Sequence, residues 1–360
     1  MSERILTYVE INRGEWSALV QTSATGTWFQ TPEAYELYES LPELFRPFVV
    51  GIALDAERLE PEALELRSRL RGVCVGFVTV EKSVIEQFFT RRALILGGPC
   101  LADDCTDEEV TLLLRSLTHS LINSFIHSPI YIETRNFNDY SKWKEAFERA
   151  GFDYKEHLNY HVDCTDREKM WERLSENRKR QVRHRMNEGV NELESERVRE
   201  LEIREWYGIL KNLYKTKVKT PLWPVEFFLE AYRQGVGKFF LVKHEGKVIG
   251  GSMVVMSERM NELSNEGTMY EWFECGLNSE YKEQYPSVMA TWAGMEYAAE
   301  HGCARYDMMG AGEPNVPYGV RDFKSEFGGK LVEHGRFLCI CKPWLYKIGK
   351  LGVKLLKRNV

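Results

Sequence analysis

Two stretches of this chain carry residue types able to do chemistry on an anion. In the first, Arg178 to Arg185 (RKRQVRHR), five Arg or Lys residues and His184 stand together with no acid among them. Such density repels itself unless an anion sits nearby. Phosphate is the anion that suits arginine, because the planar guanidinium fork meets two oxygens at once. The alternative is a solvated helix face neutralised by Glu172, Glu176 and Glu188. The second stretch, Tyr306 to Gly329, reads YDMMGAGEPNVPYGVRDFKSEFGG. A strand ending in Asp307 breaks there into a glycine-containing loop, the place where open α/β sheets put ligands. The loop delivers Phe323-Lys324 and then Phe327-Gly328-Gly329. One lysine among aromatics suits a cation held, partly dry, against a phosphate or a developing oxyanion. Phe323 and Phe327, four apart, would equally serve as core contacts with Lys324 in solvent.

An alternation of strands and helices must position these residues. Phe48 to Leu54, Gly72 to Val80 and Ala93 to Leu96 are short apolar runs that read as strands. Leucines at helical spacing predict a helix over Asp107 to His127, stopped by Pro129, after which Ile130 to Thr134 resumes a strand. A helix over Tyr140 to Ala150 ends at Gly151. The second half repeats this grammar. Asp163 to Gly189 reads as one long polar helix holding the basic run, followed by helices over Arg204 to Val218 and Pro224 to Gln234. A hairpin turns at His244-Glu245-Gly246, and Thr268 to Gly276, Ser287 to His301 and Ala304 to Met308 read as strand, helix and strand. The expected fold class is α/β (α+β), with mixed sheets flanked by helices. The expected domains are 1–162 and 163–341, with a tail over 342–360.

Composition bounds the function. The 360 residues carry a formal charge of −6, with 43% hydrophobic and 28% charged residues, which is globular and long enough for about two domains. A mildly acidic total argues against a protein that simply coats nucleic acid. The tail (KPWLYKIGKLGVKLLKRNV) holds six cations and no acid; without it 42 basic residues face 54 acidic ones. Its apolar residues recur at helical spacing beside the lysines, the pattern of a basic interfacial helix, so peripheral contact with the inner membrane face is one expectation and docking onto the first domain the other. The eight cysteines show no zinc-ligand spacing, the histidines no metal-ligand cluster, and Val73 to Val80 is too short to span a bilayer, so reduced thiols, no metal and a cytoplasmic location are expected.

The chain resembles the Fem-type (FemABX-like) aminoacyl-tRNA-dependent peptidyltransferases that build peptidoglycan cross-bridges. The resemblance rests on Thr27-Trp28-Phe29-Gln30-Thr31-Pro32, on Gly97-Gly98-Pro99, on Arg178 to Val190, and most closely on Tyr306-Asp307, Gly310 and Phe323-Lys324 through Gly329. It implies two GNAT-like acyltransferase domains in tandem and a chemistry that needs no metal. An amine of a phosphate-bearing cell-wall precursor, nucleotide- or lipid-linked, attacks the ester of an aminoacyl-tRNA, which serves as co-substrate. By resemblance Lys324, with Phe323, is the catalytic candidate, and Arg178, Arg180, Arg183, Asp307 and Tyr318 are the substrate-binding candidates, with Arg180 or Arg183 on the precursor phosphates. The family's phosphate-holding lysine after the opening turn has no counterpart, since Glu33 to Leu44 contains no Lys. Two readings stand beside this one. An acyl-CoA-dependent N-acyltransferase of the same fold would use acetyl-CoA, although Tyr281 to Pro286 before the Ser287 helix lacks the glycine such a phosphate cradle needs, leaving Gly97-Gly98 as the alternative cradle. A non-catalytic membrane-associated binding protein is the other.

Overall fold

The computed structural model describes residues 3–54, 69–80, 90–123, 128–187, 198–257, 260–261, 264–265 and 267–358. The chain begins with β1 (Glu3–Thr7), α1 (Arg13–Thr22), α2 (Pro32–Glu39), β2 (Phe45–Leu54), β3 (Leu70–Thr79), β4 (Arg92–Gly97) and β5 (Cys100–Leu101). There follow α3 (Asp107–Asn123), β6 (Tyr131–Asn136), α4 (Lys144–Arg149), β7 (Asp153–Lys155) and β8 (Leu158–Asp163). Next come α5 (Arg167–Arg173), α6 (Glu176–Asn187), α7 (Glu200–Leu213), α8 (Val225–Arg233), β9 (Lys238–His244) and β10 (Lys247–Ser257). The two-residue strands β11 (Met260–Asn261) and β12 (Ser264–Asn265) precede β13 (Gly267–Gly276), α9 (Pro286–Glu300), β14 (Cys303–Gly310) and α10 (Gly319–Ser325). The chain closes with β15 (Lys330–Glu333), β16 (Arg336–Ile340) and α11 (Pro343–Arg358). Two compact units result, residues 1–157 with 333–360, and residues 158–332.

In the first unit the strand order is β1-β2-β3-β4-β6-β16-β7, with β5 beside β3. β3 is buried along its whole length because helices cover both of its faces. Val73 and Val75 point into a cluster with Trp16 and Leu19 of α1, whereas Cys74 and Val78 point into one with Leu113 and Leu117 of α3. β4 and β6 are parallel, joined through α3. β16 pairs with both β6 and β7, and this carries residues 333–360 into the first unit instead of the second, unlike the boundary read from sequence. A strand that returns to a sheet from far along the chain leaves no local signal of which sheet it joins. The first turn of α11 packs on this unit, with Leu345 buried and the Tyr346 ring edge-on to Tyr131 at 5.5 Å, while Trp344 and Ile348 face outward.

The second unit repeats the plan. Its strand order is β15-β8-β14-β13-β10-β9, and β13 and β14 are parallel, joined through α9. Met170 of α5, Leu174, Val182 of α6 and Trp292 of α9 share one core cluster, while Trp206 of α7 and Phe228 of α8 pack with Phe273. The long polar helix expected over Asp163 to Gly189 is two helices, with residues 188 and 189 outside the described residues. Asp166 caps α5, and Leu174 leaves the helix with ψ 144° because its side chain turns into the core. Ser175 then accepts from the Arg178 amide at 3.2 Å and gives its own amide to the Glu326 carbonyl at 2.9 Å, starting α6 against the end of α10. The helix predicted over Asp107 to His127 is seen to Asn123, and residues 124–127 lie outside the described residues.

Candidate active site

Two irregularities in neighbouring strands build the site. β14 loses register with β8 between Asp307 and Gly310, and Met309 between them takes the left-handed conformation at φ 62°. The Asp307 carboxylate stabilises that kink by accepting from the Met309 amide at 2.7 Å. The kink turns the Met308 and Gly310 carbonyls toward one point, and Lys324 Nζ fills it, donating to Met308 O and, at 2.8 Å, to Gly310 O. Lys324 is 9% exposed, and its ammonium keeps one proton beyond the two given to these carbonyls. Burial draws its proton affinity down, against the pull of Glu271, Asp307 and Glu274. Asp307 is fully buried, and its second oxygen lies 3.1 Å from His161 Nε2. Burial alone would raise that carboxyl, yet His161, Arg305 and the Met309 amide hold it below its ordinary value.

The second irregularity is a bulge in β13. Phe273 faces Met253 and Glu271 faces Val254, so Trp272 is one residue too many. Without it Glu271 and Glu274, three apart, would lie on opposite faces; with it both turn toward α9. Glu271 accepts from Thr291 Oγ1 at 2.8 Å and from the Tyr306 hydroxyl at 3.0 Å. Glu274 is bound by Ser287, one helical turn before Thr291, and its Oε1 is buried with no partner. Burial raises both carboxyls, and Glu274, further raised by Glu271, is pushed up to about 7. A buried lysine thus stands with two carboxyls, one of which exchanges its proton near neutrality.

The cations of α6 divide by helical phase. Arg178, Val182 and Arg185 are buried, whereas Arg180 and Arg183 are exposed. The Arg178 guanidinium lies 4.7 Å from the Phe323 ring and 5.1 Å from the Phe327 ring, and donates to Gln181 at 2.7 Å. Arg178, expected among the substrate-binding residues, is occupied in fastening α6 to α10, because the break at Leu174 sets its phase inward. Phe323, the other aromatic candidate, contributes its ring to this stack and leaves Lys324 the inward position. Arg180 donates to Asn177 Oδ1 at 2.9 Å, and Arg183 lies over the Trp171 ring at 5.2 Å. Tyr318 caps α10, is 42% exposed, and packs its ring on Gly312, where φ is +80°. Arg321 fastens the same loop by donating to the carbonyls of Ala311, at 2.9 Å, and Glu313.

Sequence reasoning passed over Glu271, Glu274, His161 and Arg321. Burial of charge on a strand was the available signal for the two glutamates, but alternation puts residues three apart on opposite faces, and the bulge that reunites them has no sequence mark. A cleft of about 600 Å³ lined by Glu205, Asn212, Glu245 and Lys247 contains none of the residues around Lys324. Among the described residues no group of three or more His, Cys, Asp or Glu is placed to hold a metal ion. All eight cysteines are free thiols.

Residues 264–354, which include the β13 bulge, the β14 kink and Lys324, match the FemAB family. That segment is FemAB-like. The FemAB-like region lies within a fold shared along nearly the whole chain with the crystal structure of FemX, at 14% identity and a TM-score of 0.66, covering 97% of this chain and 99% of that one. A tandem GNAT protein from the clavulanic acid biosynthesis pathway is similar at 10% identity and a TM-score of 0.51, covering 94% of this chain and 98% of that one. The C-terminal domain of a putative lysylphosphatidylglycerol synthetase from Agrobacterium fabrum follows at 10% and 0.50, covering 95% and 96%. The tandem GNAT-like architecture expected from sequence therefore holds. No curated protein matches the chain by sequence.

Proposed function

We propose that this chain is an aminoacyltransferase that moves an amino acid from aminoacyl-tRNA to an amine of a phosphate-bearing cell-wall precursor peptide. The observation that carries the reading is the Lys324 ammonium, held by two main-chain carbonyls with one N–H remaining, inside the segment that matches the family. In the reaction the amine attacks the ester carbonyl, the carbonyl oxygen becomes an oxyanion that accepts from Lys324, and the ribose oxygen leaves with the bonding pair. Glu274, with its unpartnered buried oxygen, receives the proton that the amine must lose. An activated ester asks little more than orientation and charge stabilisation. Arg180 and Arg183, outward on α6, are the candidates for precursor phosphates.

Coenzyme A is the less supported donor. The first turn of α9 begins with Pro286, which has no N–H, and the Ser287 amide is already taken by Asn278 Oδ1 at 3.2 Å. That leaves little of the open amide cradle a pyrophosphate needs. The other candidate turn is also filled: Tyr140 donates to the Gly97 and Pro99 carbonyls, each at 2.7 Å, and a Cβ at Gly98 would meet the Tyr140 ring at 2.7 Å. The test is a transfer assay offering labelled aminoacyl-tRNAs and labelled acetyl-CoA in parallel to one precursor extract. Label moving only from the tRNA is expected, and label moving only from the coenzyme overturns the reading.

A further inference from the structure

Between Glu205 and Glu226 the chain has no acid and four lysines, Lys211, Lys215, Lys217 and Lys219. These fall where α7 widens into one π turn over Tyr214–Val218 and then ends at Lys219, which is left-handed at φ 55°. All four lysines are exposed, and among the described residues none has a carboxylate within ion-pair distance. The nearest acids along the chain are turned elsewhere, Glu205 toward the Val248 amide and Glu226 toward Tyr207. A cluster of like charges on a short turn is unfavourable by itself and calls for an anionic partner.

The turn rests on aromatics that lead to the candidate site. The β13 bulge that brings Glu271 and Glu274 to one face puts two consecutive aromatics, Trp272 and Phe273, on the other. Tyr214 of the π turn lies 6.5 Å from Phe273, and Trp223 lies 5.6 Å from Trp272, ring centre to ring centre. Tyr214, Trp223 and Trp272 are half-buried, and Tyr214 is the chain neighbour of Lys215. The large apolar side chain exposed on the turn itself is Val218. A bilayer-binding segment would present several. Lysines beside aromatic edges are instead the combination that tracks a phosphate backbone and receives bases.

We infer that the Lys211–Lys219 turn, with Trp223 and Trp272 beside it, is a docking surface for the phosphate backbone of an RNA. This rests on the reading of an RNA-borne acyl donor and names the part of the second unit that grips it away from the reacting ester. The test measures binding of uncharged tRNA to the full chain and to a variant with Lys211, Lys215, Lys217 and Lys219 all changed to Ala, over a range of salt concentrations. Because all four are exposed, the variant keeps its fold, which circular dichroism checks. The expected result is at least about tenfold weaker binding, and a slope of log affinity against log salt shallower by about 3, given roughly 0.7 per phosphate contact. Equal binding by both proteins, or no binding by either, overturns the inference. So does binding to phosphatidylglycerol vesicles that falls with the lysines while tRNA binding does not. Transfer from a short aminoacyl-dinucleotide ester, run in parallel, separates the two claims: transfer with unchanged tRNA binding in the variant removes the docking surface alone, and tRNA binding lost in the variant without any transfer by the parent removes the proposed reaction alone.

Discussion

Of the three protons on Lys324 Nζ two belong to the Met308 and Gly310 carbonyls, so the third is the only one that can follow a change in a bound substrate. Removing the ammonium by Lys324→Met should lower the single-turnover rate about 10²- to 10³-fold, a loss of roughly 3 to 4 kcal/mol, the usual worth of one preorganised oxyanion donor. Unchanged rates would take Lys324 out of the mechanism. Lys324→Arg should be nearly as poor, because a guanidinium is too broad for a site made by two carbonyls two residues apart. Glu274 gives a separate readout. Its carboxyl rises from 4.5 to about 7 on folding, so between those values the folded protein keeps a proton that the unfolded chain has released. Stability should therefore fall as pH rises through that interval and level off above it. Glu274→Gln keeps the shape and removes the charge that Glu271 and burial oppose. Urea unfolding at about pH 8 should show the variant more stable by up to about 3 kcal/mol, and at about pH 5 nearly equal to the parent. The same pH dependence in both proteins would mean that Glu274 ionises as freely in the fold as outside it. The same variant should lose transfer activity, the pattern expected where a site holds an unfavourable charge for chemistry.

Whether such residues meet depends on small departures from regular elements. The end of α10 is fastened to the end of α5 at Gly328, where φ is +74° and a Cβ would stand 2.3 Å from the Arg173 carbonyl oxygen. Gly302, after α9, has nearly the same φ of +72° with nothing within 4 Å of a Cβ. Gly302→Ala should therefore cost only the backbone strain, about 1 kcal/mol, whereas Gly328→Ala should cost that plus a displacement of α10, about 3 kcal/mol or more. Denaturant midpoints compare the two directly, and equal losses would show that α10 is not seated where Arg173 forbids a side chain. What could be foreseen follows the same division. The strands around Val73 and Leu94 and the helix around Leu117 were legible because burial on two faces writes a continuous apolar run and burial on one stripe writes a 3.6-residue period. Lys324, Arg180 and Arg183 were legible as concentrated charge. Arg178 could not be told from Arg180 in the same run, since only the break at Leu174 and Ser175 fixes which face turns inward. Glu271 and Glu274 were hidden by a bulge, and β16 by a pairing distant in sequence. Each miss is a register, set by contacts that no local window contains.

The formal charge of −6 averages an acidic body with three cationic places: the outer face of α6, the turn that ends α7, and α11. In α11 the two sides of the first turns differ. Leu345 is 1% exposed, but Trp344 and Ile348, four apart and so on one stripe, are 58% and 47% exposed. Lys347 and Lys350 belong to the same turns, and the sequence adds Lys342, Lys354, Lys357 and Arg358. Docking on the first unit therefore accounts for one stripe of this helix and leaves a second, composed of an indole, a branched aliphatic and cations. That composition suits the interface of an anionic bilayer, where each cation near the surface contributes about 1 kcal/mol. Reversible binding is thus the proposed role of the outer stripe, and the two contributions can be separated. The full chain should co-sediment with phosphatidylglycerol vesicles at low salt and not with zwitterionic ones, and a chain ending at Cys341 should stay in solution. Trp344→Ser with Ile348→Ser removes the apolar stripe and leaves every lysine, so it should weaken binding most at high salt, where the electrostatic part is already screened. Equal sedimentation of the full and shortened chains would return α11 to a purely internal role, its lysines turned to water around a helix held by Leu345 and Tyr346.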